Sequence, residues 1–138
     1  MKRAVVVGDG RIPVEVVLGV LTSAGFEAVT AGSVAEARAH VDAGAVAVVL
    51  GGGGVSWSAE RARPLVSMPP SARRGCLLVL VADGLTTGSG MPALMHEVDL
   101  VIDGHDVPKL GQLVASGLLA KRALVAPLDP AAAARLGG

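Results

Sequence analysis

Five short apolar runs, each followed by a pattern typical of a helix, constrain this chain more than any other feature. The runs are rich in valine and leucine, as expected of parallel strands that are buried on both faces. They occupy residues 4–7, 27–31, 45–50, 77–82 and 100–102. Strands that alternate with helices predict a single doubly wound parallel sheet of the α/β class. We expect five strands in the flavodoxin-like order 2-1-3-4-5, with helices on both faces of the sheet.

Short local motifs mark the helices between these strands. Pro13 suits the first position of a helix, and Gly25 suits the left-handed residue that ends one. Ser33 and Glu36 form a Ser-x-x-Glu capping box, which satisfies two backbone amides at the start of a helix. Asp106 is expected to cap the last helix of the sheet domain.

Two segments lack a clear helical pattern. Residues 67–75 are polar and interrupted by prolines, which predicts a connector. The α/β domain is expected to cover residues 1–122, because the composition then shifts to alanine and proline. Residues 123–138 are an extension or a linker, and they either hold one helical turn near residues 130–135 or form a disordered tail.

Composition excludes several classes of partner. Twelve basic and twelve acidic residues cancel, and Phe26 and Trp57 are the only aromatic residues, so neither a basic patch nor stacking platforms for nucleic acid are expected. No apolar run approaches the roughly 20 residues needed to cross a bilayer. The single cysteine, Cys76, excludes an internal disulfide and fits a reducing compartment. We therefore expect a cytoplasmic protein that binds neither nucleic acid nor a membrane.

The third predicted strand ends without a carboxylate. It runs Val48-Val49-Leu50 and continues into four glycines at residues 51–54. In open parallel sheets, ligands and reactive groups lie at the carboxyl ends of the strands. A chain that keeps this scaffold but lacks a reactive group there is expected to bind a partner and to have no enzymatic activity, cofactor or metal.

The layout, together with two motifs at the sheet edge, resembles a response-regulator receiver domain over about residues 3–122. The segment Arg3-Ala-Val-Val-Val-Gly-Asp9 is similar to the first strand of that family and its acidic pair. The segment Asp99-Leu-Val-Ile-Asp-Gly104 is similar to the fifth strand. The resemblance implies a module of bacterial two-component signal transduction.

The residues at the working positions of that family depart from its pattern. Its acidic pair, which holds Mg²⁺, corresponds here to Gly8 and Asp9, so one carboxylate remains. Its phosphoacceptor aspartate corresponds to Leu50, or to Gly51 if the register differs by one residue. Neither residue can accept a phosphoryl group.

The remaining positions depart in the same way. The switch Thr or Ser after the fourth strand corresponds to Val81 or Ala82, and the fifth-strand lysine corresponds to Asp103, which reverses the charge. Phosphoryl transfer needs a nucleophile and cationic groups around the transferred oxygens. The resemblance therefore indicates a degenerate receiver, a pseudo-receiver, that acts in a regulatory pathway as a phosphorylation-independent protein-interaction module.

The resemblance also implies where a partner would bind. Receivers commonly form dimers through their fourth helix, fifth strand and fifth helix, which predicts a protein partner or a second copy on that face. Four polar residues are expected on the exposed side of the last helix: Lys109, Gln112, Lys121 and Arg122. Trp57 follows the glycine loop, and it either marks an interface or folds back over the sheet edge.

Two further interpretations of the carboxyl edge stay open. The segment Gly8-Asp9-Gly10 and the glycines at residues 51–54 could hold the phosphate of a nucleotide or another small ligand through backbone amides. Neither segment completes a P-loop or a dinucleotide-binding fingerprint. Asp83 and Asp103 are expected near Asp9, with His105 in the next turn. They form either an acid–base or metal-binding group, or ordinary turn and cap residues.

Overall fold

A single sheet of five parallel strands organises the chain. The computed structural model describes residues 1–52, 59–95 and 97–137. The strand order β2-β1-β3-β4-β5 confirms the predicted doubly wound fold. The strands are β1 (Arg3–Val7), β2 (Glu27–Ala31), β3 (Ala47–Gly51), β4 (Leu77–Ala82) and β5 (Leu100–Asp103).

Helices cover both faces of this sheet. Their bounds are α1 (Val14–Ser23), α2 (Val34–Asp42), α3 (Ala59–Val66), α4 (Pro70–Arg74), α5 (Gly90–Met95), α6 (Leu110–Val125) and α7 (Pro130–Gly137), with a 3₁₀ helix at Gly104–Lys109. Among the described residues, no helix is long and apolar enough to cross a membrane.

The inner strands β1, β3 and β4 are apolar because both of their side-chain rows are buried, whereas the edge strand β2 is partly exposed. Val49 and Val79, which are register partners, lie in a core between the sheet and the helices α1 and α6. Leu50 and Leu80, the next pair, lie in a second core with residues of α2, α3 and α5. Burial of both rows explains why these strands show no alternation of polar and apolar residues.

The predicted capping box is present in a modified form. The Ser33 hydroxyl accepts a hydrogen bond from the Glu36 amide, as the motif predicts. The Glu36 carboxylate accepts from the amide of Gly32, one residue before the expected donor. Gly25, with φ of +94°, has the left-handed conformation expected just past α1.

Three local predictions were wrong. Residues 67–75 contain the helix α4, because Pro70 occupies a first-turn position where its missing amide costs nothing. Asp106 does not cap α6, since a 3₁₀ helix precedes α6 and the Asp106 carboxylate instead accepts a hydrogen bond from the Thr87 hydroxyl. The third strand begins at Ala47, two residues later than predicted, and includes Gly51.

The carboxyl-terminal residues pack onto the sheet domain. Helix α6 continues past residue 122 to Val125, and α7 follows it. Leu136 of α7 is buried in the same core as α1 and α6. The side chain of Arg135 donates a 2.9 Å hydrogen bond to the carbonyl oxygen of Ser71 beside α4. Of the two alternatives for this segment, the helical one is found, and it extends to Gly137.

Candidate functional site at the carboxyl edge of the sheet

The fold brings the predicted site positions to one edge. Gly8 follows β1, and Gly51 ends β3 beside Val81 of β4. Ala82 pairs in register with Asp103 at the end of β5. These positions therefore lie together at the carboxyl edge, as the strand pattern predicts.

The acceptor position is closed in both possible registers. Leu50 is fully buried in the core beneath α2 and α3. A Cβ atom added at Gly51 would lie 2.5 Å from the carbonyl oxygen of Arg11 and 2.9 Å from the Cβ of Ile12. The loop between β1 and α1 thus covers the space where a side chain at position 51 would begin. Its atoms belong largely to backbone, which cannot rotate away as a flexible side chain does.

The next glycine allows the two central strands to stay close together. The Gly52 amide donates a 2.7 Å hydrogen bond to the carbonyl oxygen of Val81. A Cβ at Gly52 would lie 2.8 Å from that of Ala82. The first two glycines of the run therefore serve strand packing. Residues 53 and 54 lie outside the described residues, as does Trp57, so the expectations for them stay predictions.

The surviving acidic residue already has cationic partners. The Nε and Nη2 atoms of Arg61, on α3, both donate to Oδ2 of Asp9, at 3.0 and 2.8 Å. The Nε atom of Arg11 lies 3.7 Å from the same oxygen. The side chains of Asp9 and Arg61 are 22% and 11% exposed, so this pair is largely shielded from solvent.

A guanidinium thus engages the Oδ2 atom of Asp9 and balances the charge of this carboxylate. Arg61 is separated from Asp9 by 52 residues, and no local motif connects them. The neighbouring Gly8 amide is also engaged, because it donates a 2.7 Å hydrogen bond to the carbonyl oxygen of Ala31. This amide is therefore not available to bind a phosphate, and Gly10, with φ of +84°, serves as a turn residue.

A small group of polar residues stands on the β5 side of the edge. Asp83, Asp103 and His105 each offer one potential ligand atom, and these atoms lie within 4.8 Å of one another. The missing side chain of Gly104 makes room for the Asp83 carboxylate. The His105 side chain is 83% exposed, and its Nδ1 lies 3.3 Å from the Asp103 carboxylate.

These contacts keep Asp103 charged. Loss of hydration tends to raise the pKa of Asp103, but the His105 ring and the amides of His105 and Gly84 outweigh it and hold that pKa below its ordinary value. The ionised form of Asp103 is therefore favoured. Two neighbouring carboxylates, Asp83 and Asp103, oppose the approach of a phosphoryl group to this side of the edge.

The sheet edge beyond β5 is covered by a loop whose role the sequence did not reveal. The Asp103 amide donates a 2.9 Å hydrogen bond to the Thr87 hydroxyl, which itself donates to the carboxylate of Asp106. The Gly88 amide donates to the carbonyl oxygen of Val101 at 2.9 Å. Val81 and Ala82 carry no hydroxyl, whereas Thr87, from the loop after β4, contacts β5 through its hydroxyl.

The four polar residues predicted on the last helix do not share one environment. Lys109, Gln112 and Arg122 are exposed. The Lys121 side chain is only 12% exposed, and its Nζ donates to the Asp99 carboxylate at 3.0 Å and to the carbonyl oxygen of Cys76. Lys121 therefore lies on the buried side of α6, and its predicted place on the exposed side was wrong.

This buried lysine belongs to a network at the opposite, amino-terminal edge of the sheet. Loss of hydration lowers the pKa of Lys121, although the Asp99 carboxylate works against that shift. Arg73 donates to Asp99 at 2.7 Å, and the Leu78 amide donates to the same carboxylate at 2.8 Å. Cys76 is buried, and burial raises the pKa of its thiol, so it behaves as the small apolar residue expected from the sequence.

Two cavities bear on ligand binding. A cavity of about 200 Å³ lies at the carboxyl edge, and the residues that line it include Arg11, Asp83 and Val107. A more open groove of about 530 Å³ lies between α1 and α6. Pockets for drug-sized ligands measure roughly 300–1,000 Å³. The cavity at the carboxyl edge falls below that range.

Comparison with known proteins adds no further assignment. No protein-family model, no curated protein and no solved structure matches this chain.

Proposed function

We propose that this chain is a pseudo-receiver, a phosphorylation-independent protein-interaction module of a cytoplasmic bacterial regulatory pathway. The observation that carries this proposal is the closure of the acceptor position, where the backbone of Arg11 packs against Gly51. A nucleophile at that position would have neither space nor access to solvent. The proposed module therefore signals through the surface of one conformation, without a phosphorylation switch and without catalysis.

The charges around the edge support the same proposal. Asp9 is neutralised by Arg61 within the chain, which leaves little unbalanced negative charge to attract Mg²⁺ at that carboxylate. On the other side, Asp103 presents a negative charge where a phosphoryl group would need a positive one. Both changes oppose phosphorylation, and neither disturbs the surrounding sheet.

The resemblance places the partner on the face formed by α5, β5 and α6. Lys109, Gln112 and Arg122 are exposed on α6 and are available to such a partner. The loop at Thr87 and Gly88 engages backbone groups of β5, so a partner would have to recognise side chains instead of adding a strand to the sheet.

A titration with Mg²⁺ and beryllofluoride, which mimics a phosphoryl group, tests this proposal. Trp57 is the only tryptophan, so its emission can be recorded beside the melting temperature. We expect neither signal to change. The Gly51→Asp variant, which supplies the missing carboxylate, is also expected to give no response. A saturable response of the wild-type protein that is lost in Asp9→Ala would contradict the proposal.

A small-ligand site at the carboxyl edge is the second candidate function. The cavity of about 200 Å³ beside Arg11 favours it, because a guanidinium can bind an anionic group. Its small volume and the carboxylate of Asp83 in its wall count against a nucleotide. A nucleotide present at 100 times its dissociation constant would stabilise the protein by about 2.7 kcal/mol. Melting curves with a panel of nucleotides, and with Arg11→Ala as the control, would reveal that shift.

A further inference from the structure

Three polar side chains at the ends of β4 and β5 are the starting point for an inference about metal binding. Asp83 directly follows β4, Asp103 ends β5, and His105 lies in the 3₁₀ helix that comes next. One ligand atom of each residue lies within 4.8 Å of the other two. Neighbouring parallel strands end at the same edge, so the sheet itself brings together two carboxylates that are far apart in the sequence.

The spacing of these atoms is close to what one metal ion requires. Ligand atoms about 2.0–2.2 Å from a zinc ion lie roughly 3.3–3.6 Å apart in tetrahedral coordination. The Nδ1 atom of His105 already lies 3.3 Å from Oδ2 of Asp103. The Asp83 carboxylate has to approach these atoms by at most about 1.4 Å (4.8 − 3.4 Å). Asp83 and His105 are exposed, so rotation about their side-chain bonds can supply this movement.

The charges of this group are not balanced within the chain as those of other aspartates are. Four aspartates each form an ion pair with an arginine: Asp9, Asp42, Asp99 and Asp129. Within residues 1–52, 59–95 and 97–137, the pair Asp83 and Asp103 has a single such contact, with His105, which is charged only when protonated. Two carboxylates held this close repel each other, and a cation bound between them removes that repulsion.

Backbone features hold the two carboxylates in place. A Cβ atom added at Gly104 would collide with Oδ1 of Asp83, so the glycine leaves room for that carboxylate. The backbone amides of His105 and Gly84 donate to the carboxylate of Asp103. Asp83 and Gly104 also line the cavity of about 200 Å³ at the carboxyl edge. An ion bound by Asp83 therefore lies at the wall of a cavity that has space for a further small ligand.

We propose that Asp83, Asp103 and His105 bind a divalent transition-metal ion, and that this ion is Zn²⁺. Imidazole nitrogen and carboxylate oxygen are both ordinary ligands of Zn²⁺, whereas Mg²⁺ and Ca²⁺ take oxygen ligands. Three protein ligands leave one position of a tetrahedral ion open. Water from the adjoining cavity completes the coordination.

This site differs from the one that holds Mg²⁺ in receivers. The acidic pair of that family corresponds to Gly8 and Asp9 after β1, where Arg61 balances the remaining carboxylate. The expectation that the chain binds no metal was drawn from the end of β3, whereas the proposed site lies at β4 and β5. A bound Zn²⁺ would neutralise the carboxylates at β4 and β5 but would leave position 51 closed, so the proposed lack of phosphorylation does not depend on this site.

Titration of the metal-free, untagged protein with Co²⁺ tests the site, because four-coordinate Co²⁺ absorbs visible light far more strongly than the hydrated ion does. We expect the absorbance to saturate at one ion per chain and Zn²⁺ to displace the Co²⁺. His105→Ala removes an exposed ligand and should weaken binding by on the order of 100-fold or more. His40→Ala is the matched control, since His40 lies near the end of α2 and should not contribute.

A second variant tests the geometry without removing a ligand. Gly104→Ala displaces the Asp83 carboxylate and should weaken binding by about 10–100-fold, the range typical of residues that position metal ligands. Asp103→Asn, which lowers the charge of the site, should also weaken it. Circular dichroism melting curves verify that each variant is folded.

Two results would overturn the proposal. One is the lack of a saturable Co²⁺ spectrum in the wild-type protein. The other is equal weakening by His105→Ala and His40→Ala, which would indicate nonspecific binding at surface histidines. Asp9→Ala should leave Co²⁺ binding unchanged, and loss of binding in that variant would contradict the assignment by locating the ion after β1. The titration with Mg²⁺ and beryllofluoride reports on the site near Asp9, so failure of the proposed function and failure of this metal site are distinguishable.

Discussion

Alanine at position 51 should destabilise the protein although it adds only one carbon atom. The new Cβ would lie 2.5 Å from the carbonyl oxygen of Arg11 and 2.7 Å from its carbonyl carbon. An ordinary contact needs about 3.4 Å or more, so the loop between β1 and α1 would have to move by roughly 0.9 Å (3.4 − 2.5 Å). Gly51 itself lies in a strand that is paired with β4, so it cannot move away freely.

The expected loss in the free energy of unfolding follows from the cost of adding atoms to a closely packed interior. Extra carbon atoms in a well-packed core typically cost about 1–3 kcal/mol. Because the obstacle here is backbone, we expect the upper half of that range, about 2–3 kcal/mol for Gly51→Ala. A loss of that size is a large part of the roughly 5–15 kcal/mol by which a domain is stable. With a slope near 2 kcal/mol per molar urea, the unfolding midpoint would fall by about 1 M.

Urea unfolding followed by circular dichroism measures this change, and Gly19→Ala is the matched control. Position 19 is exposed in α1 and has no atom within 4 Å of an added Cβ. Alanine there should stabilise the helix by about 0.5–1 kcal/mol. Neutral surface substitutions usually change the free energy of unfolding by no more than about 0.5 kcal/mol. If Gly51→Ala changed it by no more than that, position 51 would not be closed. The main support for a pseudo-receiver would then be lost.

Three further outcomes are expected. Lys121→Met should lower the free energy of unfolding by about 1–3 kcal/mol in urea titrations, because it removes the Lys121 hydrogen bonds to the carbonyl oxygens of Arg73 and Cys76 and the ion pair with Asp99. Lys109→Met on the exposed surface should change the stability little. The Ala132 amide, with Arg74, holds the pKa of the α7 cap residue Asp129 below its ordinary value. The ionised Asp129 carboxylate therefore stabilises the fold above about pH 4, and this contribution is lost as the pH falls further. The melting temperatures of the wild-type protein and Asp129→Ala should accordingly converge in acid. Thr87→Val should speed hydrogen exchange at the Asp103 amide, and unchanged exchange would contradict the proposed cover over β5.

Strand placement was predictable because burial on both faces leaves a direct record in the sequence. Four of the five strands begin within one residue of the predicted position, and β3 begins two residues later. Gly25 and the pair Ser33 and Glu36 were recognisable because helix ends depend on backbone groups only a few residues away. Proline carried less information, because Pro70 begins a helix where a break was expected.

Within the candidate site, the sequence indicated which chemical groups are present but not what surrounds them. The lack of a carboxylate at Leu50 and Gly51 is visible in the chain itself. The partner of Asp9 is not, because Arg61 comes from a distant helix and no spacing rule links the two. Lys121 was placed wrongly for a related reason. Its long side chain reaches Asp99 from the buried side of α6, and a charged residue on an amphipathic helix is normally assigned to the exposed side.

The sequence by itself determined the order of strands and helices, the edge of the sheet where the candidate site lies, and the lack of an acceptor carboxylate there. These properties depend on hydrophobic pattern and residue identity, which act locally along the chain. Only the tertiary structure decided that the loop before α1 covers Gly51, that Asp9 is paired with Arg61, and that α1 and α6 leave an open groove between them. Each of these depends on how closely segments far apart in the chain approach one another, and dense packing of the interior settles that distance.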